Sequence, residues 1–182
     1  QFGNNVLADN NAFTMVLENK EDLAGLPQSV VDAAAEAAAE NKLEGKWLFT
    51  VDKPSMIPFL QYSDRRDLRE KAFAAWIRRG ENDGPTDNRA IAAETLRLRD
   101  ESARLLGYPT YAHFKLSDQM AKTPENVRGL LDKVWTPAKA AVARDRGALQ
   151  ELVAAEGGNF EIAAHDWRYY AEKLRKALHD ID

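Results

Sequence analysis

Two short runs of β-branched and aromatic residues interrupt an otherwise helical pattern of hydrophobic and polar positions. They cover Phe13 to Glu18 and Lys46 to Val51, and each has the length of a strand. We expect these two strands to pair with each other. Between them, the pattern predicts a short helix near Asp22 to Ala24 and a longer, alanine-rich helix over Pro27 to Asn41, where proline suits a first turn.

From Pro54 onward the pattern contains no further strand and is punctuated by helix start and stop signals. The predicted fold class is therefore mainly α, a multi-helix array with a small two-stranded β ribbon near the N-terminus. Residues 1–182 are interpreted as one helical segment, with a ribbon-containing start at 1–53 and a helical remainder at 54–182. The predicted helices are Ser55 to Gln61, Arg65 to Arg79, Asn88 to Leu106, Tyr111 to Leu116, Thr123 to about Glu156 and a closing helix from Asp166, with a loop over Gly80 to Asp87.

Local signals mark several of these helix boundaries. Thr110 and Thr123 are N-cap residues by type and position, and Pro124 follows the second of them at a first helical position. Pro137 lies near the middle of the long helix that starts there. Because proline lacks a backbone donor and clashes with the preceding turn, we expect a kink at Pro137 or a break into two helices.

The closing helix is the densest segment of the chain in aromatic and charged residues, from His165 to Lys176. Asp166 stands where its N-cap is required, so a capping role is expected rather than acid catalysis. The simplest interpretation is an amphipathic helix with aromatic rings in a core and Lys and Arg in solvent. Helical spacing puts Trp167, Tyr170 and Leu174 on one face and Tyr169, Lys173 and Lys176 on another.

A second interpretation gives this helix a binding role. Tyr169, Tyr170 and Lys173 would line a peptide channel, where phenol hydroxyls and an ammonium bind backbone carbonyls or a terminal carboxylate. Buried tyrosine hydroxyls bonded within the protein, and Lys173 paired with a nearby glutamate or another helix, are the alternative.

Arginines also cluster at the start of the helix predicted from Arg65. Arg65, Arg66 and Arg69 alternate there with acidic residues. A solvated mixed-charge face or salt bridges between helices is the expected role of these arginines. An arginine clamp for a peptide carboxylate is the alternative.

Composition excludes several classes of chemistry. The formal net charge is -4 and no basic block is present, which argues against nucleic acid as a partner. No apolar run is long enough to span a membrane. Cysteine is absent, which rules out disulfides and thiolate metal sites. A cytoplasmic location is expected, with the periplasm as the alternative.

The residues that would carry intrinsic catalysis are missing from the sequence. The three histidines, His113, His165 and His179, form no His-Glu-x-x-His pair, which would place two imidazoles one helical turn apart on zinc. Neither a glycine-rich phosphate loop nor a Gly-x-Ser-x-Gly elbow is present. We therefore assign no catalytic residue and no metal ligand to this sequence.

Eight collinear segments nevertheless match one family in order and spacing. They are NNVLADNNAF (4–13), DLAGLP (22–27), LEGKWLFTVD (43–52), YSDRRDLR (62–69), DNR (87–89), LLGYPTYA (105–112), MAKTPE (120–125) and DWRYYAEKLR (166–175). Together they resemble the M3 family of zinc oligopeptidases, most closely the bacterial peptidyl-dipeptidases, with thimet oligopeptidase and oligopeptidase A as more distant relatives. The resemblance spans essentially the whole chain.

The resemblance implies a piece of a longer enzyme, upstream of a zinc helix that carries His-Glu-x-x-His. Zinc and a glutamate would then hydrolyse short peptides in the parent enzyme, releasing dipeptides from a free C-terminus. The cofactor of the parent is zinc, and none is expected to bind this piece. Its partners would be an oligopeptide substrate and the remaining domains of the same polypeptide. Its own role would be scaffold and channel wall, and it would be inactive alone.

Two alternatives to this interpretation follow from the residues. One is a stand-alone helical module for peptide binding or protein interaction, which would use the stripe of Tyr169 and Lys173 or an exposed apolar patch. The other is a regulatory helical domain without a ligand, for which the sequence offers no supporting residue.

Overall fold

The computed structural model describes residues 1–179, so the last three positions of the predicted helical remainder 54–182 lie outside the described residues. Helices dominate this part of the chain, and one short antiparallel ribbon lies near its start. The predicted mainly α fold class is thereby confirmed. The elements are α1 (Phe2–Ala12), β1 (Met15–Leu17), a 3₁₀ helix (Lys20–Leu23), α2 (Gln28–Glu40), β2 (Trp47–Phe49), α3 (Lys53–Tyr62), α4 (Arg66–Ile77), α5 (Arg89–Leu105), α6 (Tyr111–Leu116), α7 (Pro124–Ala155) and α8 (Trp167–His179).

The ribbon pairs the two predicted strands with each other. Its register places Met15 opposite Phe49 and Leu17 opposite Trp47. These side chains share one face of the ribbon, because alternate residues of a strand point the same way. That face packs into a core with α2, α3 and α4, in which the rings of Phe49 and Phe59 lie 4.7 Å apart.

The chain divides into two compact units. The first contains Gly3–Asp87 and the described residues from 148 onward, and the second contains Phe2 and Asn88–Gly147. In the first unit, a further apolar cluster joins the end of α7 to α8 and the segment between them, through Leu149, Val153, Ile162, Tyr169 and Tyr170. In the second unit, α5 and α6 contact each other, and Thr110 caps α6 by accepting a hydrogen bond from the His113 amide.

Helix α1 was not predicted, because no side chain of this helix is buried and its sequence lacks an apolar stripe. The predicted loop Gly80 to Asp87 is confirmed. Polar contacts with this loop hold α1 in place. The Asp9 carboxylate accepts hydrogen bonds from the Gly80 amide at 2.6 Å and from the Thr86 hydroxyl at 2.5 Å. The hydrogen bond from Thr86 has the largest effect on the pKa of Asp9, and together with the bond from Gly80 it lowers this pKa.

Helix α7 continues through Pro137 as one element of 32 residues, so the predicted alternative of two separate helices is wrong. Proline removes one donor from the helix ladder at this point. The surrounding residues are exposed to solvent, where water can satisfy the carbonyl that loses its partner. None of the helices in residues 1–179 combines the length and apolar character that crossing a membrane requires.

Candidate functional site

Helix α8 carries the three residues that were predicted to line a peptide channel. Tyr169 and Tyr170 are 8% and 6% exposed, and the Lys173 side chain is 38% exposed. Both tyrosines therefore belong to the interior of the first unit, and Lys173 lies at its surface. The pattern interpreted as an amphipathic helix is thus present, but its aromatic face includes Tyr169, which the helical spacing had grouped with the lysines.

Tyr169 and Lys173 are brought together in one hydrogen-bonded chain. The Tyr169 hydroxyl donates to Asp64 Oδ1 at 2.7 Å and accepts from Lys173 Nζ at 3.1 Å. Lys173 Nζ also lies 2.6 Å from Glu156 Oε1 and 4.8 Å from the centre of the Tyr169 ring. This chain connects α8 to the end of α7 and to the segment before α4, so its groups already have partners within the protein.

The environment of this chain changes the acidity of its members. Burial raises the pKa of Tyr169 above its usual value, and the hydrogen bond to Asp64 adds to the effect. Burial lowers the pKa of Lys173, but the hydrogen bonds with Glu156 and Tyr169 outweigh it and leave the pKa raised. Tyr169 is therefore a neutral donor and Lys173 a cation at neutral pH. Such a pair can bind an acceptor group but offers no general base.

Tyr170 has a different environment from its neighbour. Its ring meets the Tyr169 ring edge-on at 5.1 Å and lies 6.3 Å from the ring of Phe160. Burial raises the pKa of its hydroxyl. These contacts place Tyr170 in the apolar cluster with Leu149 and Val153.

The most enclosed polar group of this region is the carboxylate of Asp166, which is fully buried. Arg66 donates to both of its oxygens, with Nε–Oδ1 at 3.0 Å and Nη2–Oδ2 at 2.9 Å. Arg69 Nη2 donates to Oδ1 at 3.0 Å, and the Ala163 amide donates to Oδ2 at 3.1 Å. Asp166 directly precedes α8 as predicted, but its carboxylate is the centre of a buried ion cluster.

Both arginines of this cluster are also packed against rings. Arg69, whose side chain is 2% exposed, donates to the Ser63 carbonyl at 2.7 Å and lies 4.1 Å from the Tyr169 ring centre. Arg66 lies 4.1 Å from the Phe160 ring centre. The expected salt bridges between helices are thereby confirmed for these two arginines, and the clamp that they form holds a carboxylate of the same chain.

The charges in this cluster are mutually stabilised. Burial alone would raise the pKa of Asp166, but the hydrogen bonds from Arg66, the Ala163 amide and Arg69 outweigh burial and hold the pKa below its usual value of 3.8. The hydrogen bond to Asp166 raises the pKa of Arg66. Sequence spacing offered one signal for this cluster, because Arg66 and Arg69 are three residues apart and so share a helix face.

A zinc site does not fit the residues that the structure describes. No group of three or more His, Cys, Asp or Glu side chains is arranged there to hold a metal ion. His113 Nδ1 lies 2.8 Å from the Thr110 hydroxyl, and His165 Nε2 lies 3.6 Å from Asp166 Oδ2. Each of these two histidines thus lies beside an oxygen that is otherwise engaged in capping or ion pairing.

Comparison with known proteins indicates the same family as the motifs along the chain. The family model described as "Peptidase family M3" matches residues 59–182, which is more than half of the sequence. The chain belongs to peptidase family M3. The predicted resemblance to this family is confirmed.

Individual M3 proteins match along the whole chain. Dipeptidyl carboxypeptidase of Escherichia coli is 34% identical over 182 residues, and oligopeptidase A of Salmonella typhimurium is 36% identical over 185. A probable cytosolic oligopeptidase A of Arabidopsis thaliana is 33% identical over 192 residues. In each case the match covers 100% of this chain and 27% of the relative, so the chain spans about a quarter of the length of these M3 proteins.

Proposed function

We propose that these residues form a scaffold and channel-wall segment of a zinc metallopeptidase that hydrolyses short peptides and releases dipeptides from their C-termini. The match to M3 proteins over the whole chain carries this proposal, together with its 27% coverage of their length. Zinc would be held by residues outside this segment, as the resemblance to the zinc oligopeptidases implies. The substrate would be an unfolded oligopeptide.

The ion cluster around Asp166 supports a scaffold role for α8. Three donors from α4 and from the turn before α8 converge on one buried carboxylate, which fixes the position of the helix start. The chain of Tyr169 and Lys173 fixes the next turn of α8. Rigid support of this kind is what a peptide-binding wall needs, because binding geometry is lost when a wall is loosely held.

Of the three predicted wall residues, Lys173 is the one that presents a charged group near the surface. We propose that its ammonium attracts the carboxylate or a carbonyl of a bound peptide, with Tyr169 positioning it through their hydrogen bond. Tyr170 would contribute through packing.

The proposal is tested by transplanting the chain into a relative. The 182 residues would replace the matching stretch of Escherichia coli dipeptidyl carboxypeptidase, and hydrolysis of an N-blocked tripeptide would be followed by dipeptide release. We expect zinc-dependent activity from the chimera and none from the 182-residue chain alone. Hydrolysis by the isolated chain, or one zinc ion per chain after dialysis, would overturn the proposal.

A second candidate is the stand-alone peptide-binding module, which the partial exposure of Lys173 favours. Titration of the isolated chain with short unstructured peptides separates the two. Saturable binding that is lost in Lys173→Met but kept in Lys71→Met, a control at an exposed lysine on α4, would support the module. The scaffold proposal expects that the isolated chain shows no saturable binding of these unstructured peptides that depends on Lys173.

A further inference from the structure

The middle of α7 is exposed to solvent on nearly every face. From 128 to 147, every residue except Ala138 and Ala141 is exposed, and those two are partly buried. Helices in proteins gain most of their stability from packing an apolar face, so such a segment calls for a covering partner. Five large apolar side chains are exposed in it, namely Leu130 (65%), Leu131 (58%), Val134 (59%), Trp135 (62%) and Val142 (53%).

These side chains form one stripe along the helix. At 3.6 residues per turn, Leu130, Leu131, Val134, Trp135 and Val142 fall within less than half of the helix circumference, together with Ala138 and Ala141. We call these seven residues the α7 stripe. A contiguous exposed apolar surface of this length is rare on a folded monomeric protein and marks a site of interaction.

Further along the same helix, the same face is covered by protein. Beyond Asp145, which lies on the same face by helical spacing, Leu149 and Val153 are apolar again, and they are 2% and 0% exposed. Ile162 and Tyr170 pack against them in the first unit. This end of α7 shows that the apolar face of the helix can be buried by other protein segments.

Basic residues flank the stripe on both sides. Lys133 and Arg144 lie along one side by helical spacing, and Arg128 and Lys139 lie along the other. Between 128 and 146 there are five Lys or Arg residues and two Asp residues. An amphipathic helix with acidic residues beside its own apolar stripe would be complementary to this surface.

We propose that the α7 stripe is the docking surface for an acidic-flanked amphipathic helix that comes from peptidase sequence outside these 182 residues. This inference rests on the proposed function, and it adds the surface and the chemistry of its occupant. The M3 relatives supply the source, because the stretch that matches this chain is only 27% of their length.

The chemistry of the occupant is tested on the 182-residue chain itself. Two designed helical peptides of roughly 20 residues, about six turns, would carry the same apolar stripe with either Glu or Lys at the flanking positions. We expect saturable binding of the Glu-flanked peptide and at least about tenfold weaker binding of the Lys-flanked one. The Leu131→Lys, Trp135→Lys double variant should lose binding. The matched control, Thr136→Lys with Ala143→Lys on the opposite face of α7, should keep it.

Several outcomes would overturn the proposal. Equal binding of both peptides, binding of neither, or binding that survives in the stripe double variant would each do so. A dimer in sedimentation that only the stripe variant dissociates would assign the stripe to a second copy. Capture by anionic phosphatidylserine vesicles through the stripe, without binding of the Glu-flanked peptide, would assign it to a lipid surface.

The source of the helix is tested by thiol labelling, since the chain contains no cysteine of its own. Val134→Cys and Thr136→Cys lie on opposite faces of α7 and would each be placed in the chimera with the Escherichia coli relative, whose own cysteines are replaced by serine. We expect the V134C thiol to be protected from maleimide in the chimera and reactive in the isolated chain, with T136C reactive in both. Equal labelling of V134C and T136C in a folded chimera would contradict the docking proposal, whether or not the chimera is active. Protection of V134C in an inactive chimera would support the docking proposal and count against the proposed function alone.

Discussion

Replacing Asp166 by asparagine removes a negative charge from a fully buried position while hardly changing the side-chain volume. Arg69 then keeps its bond to the Ser63 carbonyl but loses the anionic charge of Asp166 in a site where its side chain is 2% exposed. Removing one member of a buried ion pair typically costs about 3 to 5 kcal/mol. The asparagine carbonyl oxygen can still accept hydrogen bonds at one of the two oxygen positions, so we expect the lower end of this range, about 3 kcal/mol, for Asp166→Asn.

Two further variants separate charge burial from simple loss of contact. The Arg66 side chain is 39% exposed, so its ion pair is partly screened by water, and Arg69 and the Ala163 amide still donate to Asp166 when Arg66 is removed; Arg66→Gln should therefore cost about 1 kcal/mol. Arg69→Met combined with Asp166→Leu removes both buried charges and should cost clearly less than Asp166→Asn alone.

The assay is urea unfolding followed by tryptophan fluorescence at pH 7. Trp135 belongs to the second unit, whereas Trp47, Trp76 and Trp167 belong to the first. In a Trp135→Phe background, fluorescence therefore reports the unit that contains the ion cluster. A loss below about 1 kcal/mol for Asp166→Asn would refute the reasoning, because it would mean that the Arg69 charge needs no partner.

The ion pair between Asp166 and Arg69 also predicts that the free energy of unfolding depends on pH. The folded-state pKa of Asp166 lies below its usual value of 3.8. The stability that this lowering contributes is therefore fully present above about pH 4 and is lost as the pH falls through the folded-state pKa. The stability difference between the parent chain and Asp166→Asn should be constant from pH 7 to about pH 5 and shrink below pH 4.

The remaining predictions concern neighbouring parts of the first unit, and urea unfolding at pH 7 measures each of them. Tyr169→Phe removes the hydroxyl that bonds Asp64 and should cost about 1 kcal/mol; no change would show that the bond contributes nothing. Lys173→Ala breaks a partly exposed ion pair and should cost less than about 1 kcal/mol, with the cost shrinking in high salt. Gly25→Ala should cost more than Gly45→Ala: both have positive φ, but a Cβ at Gly25 would lie 2.3 Å from a backbone carbonyl oxygen, whereas nothing lies within 4 Å at Gly45. Equal costs would mean that this carbonyl moves aside freely.

Elements with local signals could be predicted from the sequence. Thr110 accepts a hydrogen bond from the His113 amide, and Thr123 accepts one from the Asn126 amide at 3.3 Å, so the two threonine caps are confirmed. The predicted strand pair is also confirmed. It could be predicted because its β-branched and aromatic runs contrast with the alanine-rich helix between them. Each of these features depends on residues that are close in sequence or on composition within one short run.

The parts that could not be predicted depend on distant residues. Helix α1 has no buried side chain, and it is held by Asp9 through a loop more than seventy positions away. The role of Asp166 depends on Arg66 and Arg69, which a sequence pattern cannot pair with it across the intervening helices. The assignment of Tyr169, Tyr170 and Lys173 to a substrate channel stays a prediction.

The ion cluster around Asp166 also has a consequence for the order of events during synthesis. Arg66 and Arg69 leave the ribosome 100 and 97 residues before the aspartate that neutralises them. At translation rates of about 5 to 20 residues per second, α4 waits roughly 5 to 20 seconds for its partner. During that interval the Arg69 guanidinium needs water, so the face of α4 that carries it stays open until α8 arrives. The contacts around Asp166 can therefore be completed only once α8 has emerged.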